Sequence, residues 1–295
     1  MTIDSQPVAT YSDWRCGRYQ FTQRGDLPVL EIEHPLANCT ISMFGAQVLS
    51  FCPAGGRELL WMSEGERFDG RTAIRGGIPI CWPWFGNHHD GKNGKKSHGF
   101  ARNSIWQLET LRSDESSAYI ELVLSDSDYT YSQFPYRFSL KLQVVISQSL
   151  EVKLVIENQD QQPFEFTAAL HAYFAVSDIT QTRIVGLLNA CLNSVDVGEE
   201  IAVETPFILR HALDYVFENQ YPLELCSSFI SRIESTHANS IVVWSPWLEG
   251  AREIQDMCEL QYKKMVCIEP AILQKPVMLM PKQRFCLDLR VATGP

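Results

Sequence analysis

The chain has 295 residues, 45% of them hydrophobic and 11% aromatic, and a formal net charge of −10 from 35 acidic against 25 basic residues. This is enough apolar material for a sizeable core, and the acidic balance argues against nucleic acid or an anionic membrane as partner. No segment approaches the roughly 18 consecutive apolar residues that a membrane span requires.

Residues 1–10 carry neither a basic stretch nor an apolar one, so they read as a loosely ordered start and not as a secretory leader. The nine cysteines are scattered and none forms a C-x-x-C pair, which points to reduced thiols in a cytoplasmic protein. Residues 73–86 place Arg75 before Gly76-Gly77 and end in an aromatic cluster. A polar loop, 87–97, follows with His88, His89, Lys92, Lys95 and Lys96, and closes in His98-Gly-Phe-Ala-Arg102. Trp82, Trp84, Phe85 and Phe100 offer flat surface for a sugar ring, or equally core aromatics beside a solvated basic loop. His88-His89-Asp90 and His98 raise the question of a metal, but adjacent histidines on a Gly- and Lys-rich loop are expected to be exposed, and no metal is expected.

Downstream the apolar period is two, the strand signal. Phe138 to Ile146 and Leu150 to Ile156 alternate around Ser147-Gln148-Ser149 and read as a β-hairpin. Further strands are expected at 118–124, 164–174, 241–244, 265–269 and 285–291. In the 164–174 run, Phe164, Phe166, Ala168, Leu170, Ala172 and Phe174 share a core face. His171 and Tyr173 lie on the opposite face, where an imidazole is suited to general acid–base work. Residues 209–219 read as a short helix or an irregular connection. The 265–269 strand is expected to end at Pro270 with Glu269 closing it, where desolvation strengthens a carboxylate as a base. Many strands with few helices indicate an all-β sandwich or barrel. The G-x-G-x-x-G, Walker and G-x-S-x-G patterns are absent, so neither a nucleotide cofactor nor a serine hydrolase is indicated.

Four motifs occur in a telling order: Ala-Ile-Arg75-Gly-Gly-Ile-Pro-Ile, His98-Gly-Phe-Ala-Arg102-Asn, Ala-Leu-His171-Ala-Tyr-Phe and Cys267-Ile-Glu269. Together they resemble the aldose 1-epimerase superfamily, closest to its hexose-6-phosphate mutarotase branch. The resemblance implies an isomerase on one large antiparallel β-sandwich domain spanning 1–295, the galactose-mutarotase-like fold. It implies His171 as general acid and Glu269 as general base, with Arg75, His98, Arg102 and Asp214 binding the sugar and Gln47 at a further cleft position. Lys95, Lys96 and Ser97 are expected near the phosphate, although this branch often has Leu-Pro where Lys95-Lys96-Ser97 stands. The Asp-Lys pair expected near residues 186–194 is also missing. The implied partner is a small sugar or sugar phosphate, with no cofactor and no metal, in a monomer or weak homodimer. Three other readings are an aldose 1-epimerase of unphosphorylated hexoses, a glycoside hydrolase pairing Glu269 with Asp214, and a non-catalytic carbohydrate-binding protein.

Overall fold

The computed structural model describes residues 13–86, 97–188, 190–193 and 200–294, with the backbone alone at 190–193 and 200. Residues 1–10, and the loop residues His88, His89, Lys92, Lys95 and Lys96, lie outside the described residues.

The described chain is an all-β sandwich with two short α-helices, Asp128–Gln133 and Trp247–Glu253. A ten-stranded sheet has at its centre the neighbouring strands Ala118–Ser125, Phe138–Ile146, Ser149–Asn158 and Arg284–Thr293. The expected hairpin is among them, with Leu150 opposite Ile146 and Asn158 opposite Phe138. An eight-stranded sheet holds Leu213–Glu218, Ser240–Ser245, Met265–Leu279, Phe164–Leu170 and Ile80–Cys81 in that order. The short strand Tyr173–Ala175 also pairs with Met265–Leu279. A third sheet of four strands runs from Arg18 to Pro53. Among the described strands pairing is antiparallel except where Asp13–Trp14 joins Gln107–Ser113, and an isolated bridge between Trp82 and Gly99 is also parallel. No helix among the described residues is long and apolar enough to cross a membrane.

Alternation explains the packing. Leu140, Leu142 and Val144 of one sheet and Phe164, Phe166 and Leu170 of the other are fully or nearly fully buried in one core cluster. Each such side chain contributes about 1.5–3 kcal/mol by leaving water. The far face of the eight-stranded sheet carries a smaller cluster of Cys81, Ala169, Val216, Val242 and Ala271, with Phe85 packed on it. This second face bears the site.

Three local expectations change. Residues 213–218, read as a short helix or irregular connection, form a strand because Tyr215 to Phe217 pair with Ile241 to Val243. The strand at 265 does not end at Pro270 but continues to Leu279. The 164–174 run is broken at His171-Ala172 into the strands Phe164–Leu170 and Tyr173–Ala175.

The long strand runs past Pro270 because Ala271 and Ile272 pair with Ala169 and Ala168, and the break has its own cause. Ala169 pairs with Ala271 and Tyr173 with Cys267, so the register is the same on both sides of the break. In that register Leu170 falls opposite Pro270 and His171 opposite Glu269. Pro270 has no N–H to give the carbonyl of Leu170. That carbonyl instead accepts the N–H of Ala172 at 2.8 Å, an i-to-i+2 turn centred on His171. Pairing resumes at once, with Ile268 N–H donating to the Ala172 carbonyl at 3.2 Å.

Candidate active site

Because their strands keep register across the break, His171 and Glu269 are direct cross-strand neighbours. His171 Nδ1 stands 3.3 Å from Glu269 Oε1. Val242 pairs with Glu269 and Val216 with Val242, so this row crosses the sheet as Val216, Val242, Glu269, His171. The next row on the same face is Asp214, Trp244, Cys267, Tyr173. The Leu213–Glu218 strand is thus what brings Asp214 to the site.

Val242, Glu269 and His171 of the first row and Asp214, Trp244 and Tyr173 of the second line a cavity of about 800 Å³, together with Arg75, His98 and Arg102. Six of the residues expected from the sequence therefore converge: His171, Glu269, Arg75, His98, Arg102 and Asp214. Ser97 lines the cavity too, and its carbonyl accepts Arg102 Nη2 at 3.0 Å.

Gln47 departs from expectation. It is fully buried and does not line the cavity; its amide Nε2 donates to the carbonyls of Ile74 at 3.2 Å and Gly76 at 2.6 Å. It braces the backbone around Arg75. The aromatic cluster divides likewise. Trp82, Trp84 and Phe100 are buried in the main core, and only Phe85 of the four reaches the cavity. Trp244 supplies a cavity aromatic that the sequence reading left out.

Arg75 is fixed from three sides. Its backbone N–H donates to Glu66 Oε2 at 2.6 Å, its Nε to Asp256 Oδ1 at 3.0 Å and its Nη1 to the Tyr173 hydroxyl at 3.2 Å. Burial works against its charge, but Tyr173 and Asp256 outweigh that and hold the guanidinium charged. The approach of this segment to the neighbouring strand requires Gly77, at φ +57°, where a β-carbon would stand 2.2 Å from the Val48 carbonyl oxygen. Asp256 carries no sequence signal for its role, since it lies 181 residues from Arg75 and meets it only in the fold.

His98 has φ +62°, and its Nδ1 accepts the Gly86 N–H at 3.2 Å. A neutral ring so bonded keeps its proton on Nε2. Burial, and then the charges of Arg102 and Arg75, push its pKa down to about 3, so it is neutral across the physiological range.

His171 is nine-tenths buried, its ring stacked on Tyr173 at 4.9 Å and 12° and flanked edge-on by Trp244 at 6.1 Å. Burial, reinforced by His98, Arg102 and Arg75, holds its pKa well below the ordinary imidazole value. Glu269 is moved the other way, well above the usual carboxylate range, by burial first and then by Asp214, against the pull of Arg102. Both shifts favour uncharged forms, and the two neighbours titrate together, one taking up a proton as the other gives it up. Such a pair always contains one donor and one acceptor.

The aldose 1-epimerase family model matches residues 28–291. A Salmonella typhimurium protein provisionally named glucose-6-phosphate 1-epimerase is 31% identical over 263 residues, covering 86% of each chain. An Escherichia coli K12 protein with the same provisional name is 31% identical over 251 residues, covering 83% of each. Among solved structures, a provisionally named mutarotase from Salmonella typhimurium superposes with a TM-score of 0.87 at 28% identity, over 94% of this chain and 93% of its own. A galactose mutarotase-like protein from Clostridium acetobutylicum, at 16% identity and TM-score 0.76 over 95% and 99% of the two chains, shares the fold. With sequence and fold in agreement, this chain belongs to the aldose 1-epimerase family and is a sugar mutarotase, an isomerase.

Proposed function

We propose that the chain interconverts the α and β anomers of a hexose 6-phosphate, glucose 6-phosphate first, with His171 as general acid and Glu269 as general base. The observation that carries this reading is the buried pair with its 3.3 Å separation, facing the cavity. The base takes the proton of the anomeric hydroxyl while the acid gives one to the ring oxygen. The C1–O5 bond opens to the aldehyde, rotation about C1–C2 exchanges the faces, and closure returns either anomer. Both oxygens are bonded to one carbon, so the two catalysts must sit side by side, as cross-strand neighbours do. Glu269 has an imidazole 3.3 Å away, which favours this reading over a hydrolase built on Glu269 and Asp214. The reaction moves only protons and calls for no metal or redox cofactor. We place it in the cytoplasm, on a single 295-residue domain.

The sugar-binding roles follow from chemistry. Neutral His98, with its proton on Nε2, donates to a sugar oxygen, and Asp214 accepts from sugar hydroxyls. Arg75, fixed by Asp256 and Tyr173, orients the ring and stabilises charge on its oxygens. For the phosphate, Arg102 and Ser97 adjoin, and Arg67 and Arg71 also line the cavity. Lys95 and Lys96 precede Ser97 in the chain. The provisional name shared by the relatives points to the same substrate.

Polarimetry or NMR on freshly dissolved single anomers tests this. Equilibration of α-glucose 6-phosphate faster than of glucose or galactose is expected, with no new reducing ends. Better turnover of free galactose overturns the phosphate assignment. Reducing ends released from an oligosaccharide offered alongside indicate a hydrolase, and no acceleration of any sugar leaves a binding protein.

A further inference from the structure

We propose that Cys267, His171 and Glu269 form a binding site for a thiophilic divalent cation of the zinc class, and that such an ion inhibits the enzyme by occupying its acid and base. The binding stands on geometry alone; the inhibition rests on the mutarotase reading above. The thiol, an imidazole nitrogen and a carboxylate oxygen all lie within 4.8 Å of one another. The His171 Nδ1 to Glu269 Oε1 distance, 3.3 Å, already equals the edge of a tetrahedron with arms of about 2.0–2.1 Å, the usual zinc bond to nitrogen or oxygen. A modest approach by the sulfur makes the third corner, and the fourth opens on the cavity where a sugar oxygen would lie.

Two independent observations point to a ligand here. First, neither carboxylate oxygen of Glu269 nor Nδ1 of His171 has a hydrogen-bond partner among the described residues, although all three atoms are buried. Buried lone pairs left unbonded are costly, and a metal ion would engage them directly. Second, the sugar reaction has no use for a thiol, yet Cys267 lies two residues from Glu269 on the same strand face and opposite Tyr173, on the row beside the catalytic pair. The donors come from two adjacent strands of a packed sheet, so no loop has to fold around the ion. The donor set also selects. Sulfur and imidazole suit zinc, cadmium or cobalt, whereas magnesium and calcium prefer an all-oxygen shell. The nearby positive charges of Arg75 and Arg102 further disfavour any ion held by charge alone.

The full-length chain, freed of metal by a chelator and dialysed, is titrated with Zn²⁺ and with Co²⁺. We expect one ion per chain and a near-ultraviolet thiolate-to-cobalt charge-transfer band. Cys267→Ser should remove the band and weaken zinc by about a hundredfold, whereas Cys258→Ser, at an exposed thiol, should leave both unchanged. A band that persists in Cys267→Ser, or zinc affinity unchanged by it, overturns the site. Should Cys267→Ser fail to fold, Glu269→Gln serves: it keeps the thiol and the band, and zinc weakened by about tenfold or more supports the site, while unchanged affinity refutes it. On the kinetic side zinc should raise KM for the sugar and leave kcat alone, with EDTA restoring the original rate; zinc that lowers kcat at constant KM overturns the inhibition. The cobalt spectrum is independent of turnover, so it reports on the metal site even if no sugar is epimerised.

Discussion

The base role proposed for Glu269 conflicts with its burial in the core. Burial, and then Asp214, push its carboxyl well above the usual carboxylate range. As pH rises past the ordinary carboxylate value the unfolded chain ionises there and the folded chain resists, so this site costs stability with rising pH. His171 acts in the opposite sense: its depressed value costs stability as pH falls below the ordinary imidazole value. Glu269→Gln removes the charge and keeps the shape. It should lower kcat/KM by about a hundredfold or more and raise Tm by about 2–4 °C, equivalent to roughly 1 kcal/mol. Activity within about threefold of the parent, under 1 kcal/mol of barrier, would remove Glu269 from the base role. The same shifts set the pH–rate profile of kcat/KM. The pair works with one proton; a second must go onto His171, so the acid limb lies well below the ordinary imidazole pKa, and its loss from Glu269 places the alkaline limb above the ordinary carboxylate pKa. A profile with a single limb at the ordinary imidazole value would show that His171 titrates alone. Arg102→Ala separates phosphate from ring: a loss of about ten- to a hundredfold in kcat/KM is expected for glucose 6-phosphate and a much smaller one for glucose. Equal losses would assign Arg102 to the ring or to the fold.

Among the elements, one proline shapes the catalytic strand pair. Proline in a central strand normally argues against that strand, which is why residues 265–269 read as ending there. Here the missing N–H falls opposite Leu170, whose carbonyl turns to Ala172 and creates the bend that presents His171. Pro270→Ala restores a donor and permits an unbroken ladder through residues 169–173. We expect kcat/KM to fall by about tenfold or more through misplacement of the imidazole, with Tm within about 3 °C of the parent, a change of roughly 1 kcal/mol. Full activity would show that the bend is set elsewhere. The 209–219 segment teaches the converse lesson. Its pattern is ambiguous by period, and only its partner at Ile241 to Val243 makes it a strand.

At the scale of the whole molecule, two large sheets and a smaller one share a core that needs no covalent brace. The eight cysteines with described side chains are all free, and Cys39, Cys81 and Cys267 are buried. Burial pushes the Cys81 thiol up to about 12, which keeps it protonated and inert at neutral pH. Thermal unfolding with and without a thiol reductant should therefore give the same Tm within about 1 °C. A fall in reductant would reveal a disulfide worth about 2–4 kcal/mol. Nor does the net charge of −10 decide what enters the cavity, where arginines and acidic groups intermingle and direct contacts govern.

The strands whose alternation is strong, the hairpin of 138–156 above all, are legible in the sequence, because a period of two follows directly from the pleat. Motif matches also point to six of the cavity residues, and alternation to the face of the 164–174 run on which His171 and Tyr173 lie. Which donors meet is fixed by contacts between distant segments. The contact between Arg75 and Asp256 and the bracing of residues 74–76 by Gln47 depend on segments far apart in the chain. So does the opposition of His171 and Glu269, because register belongs to two strands together and neither records it alone.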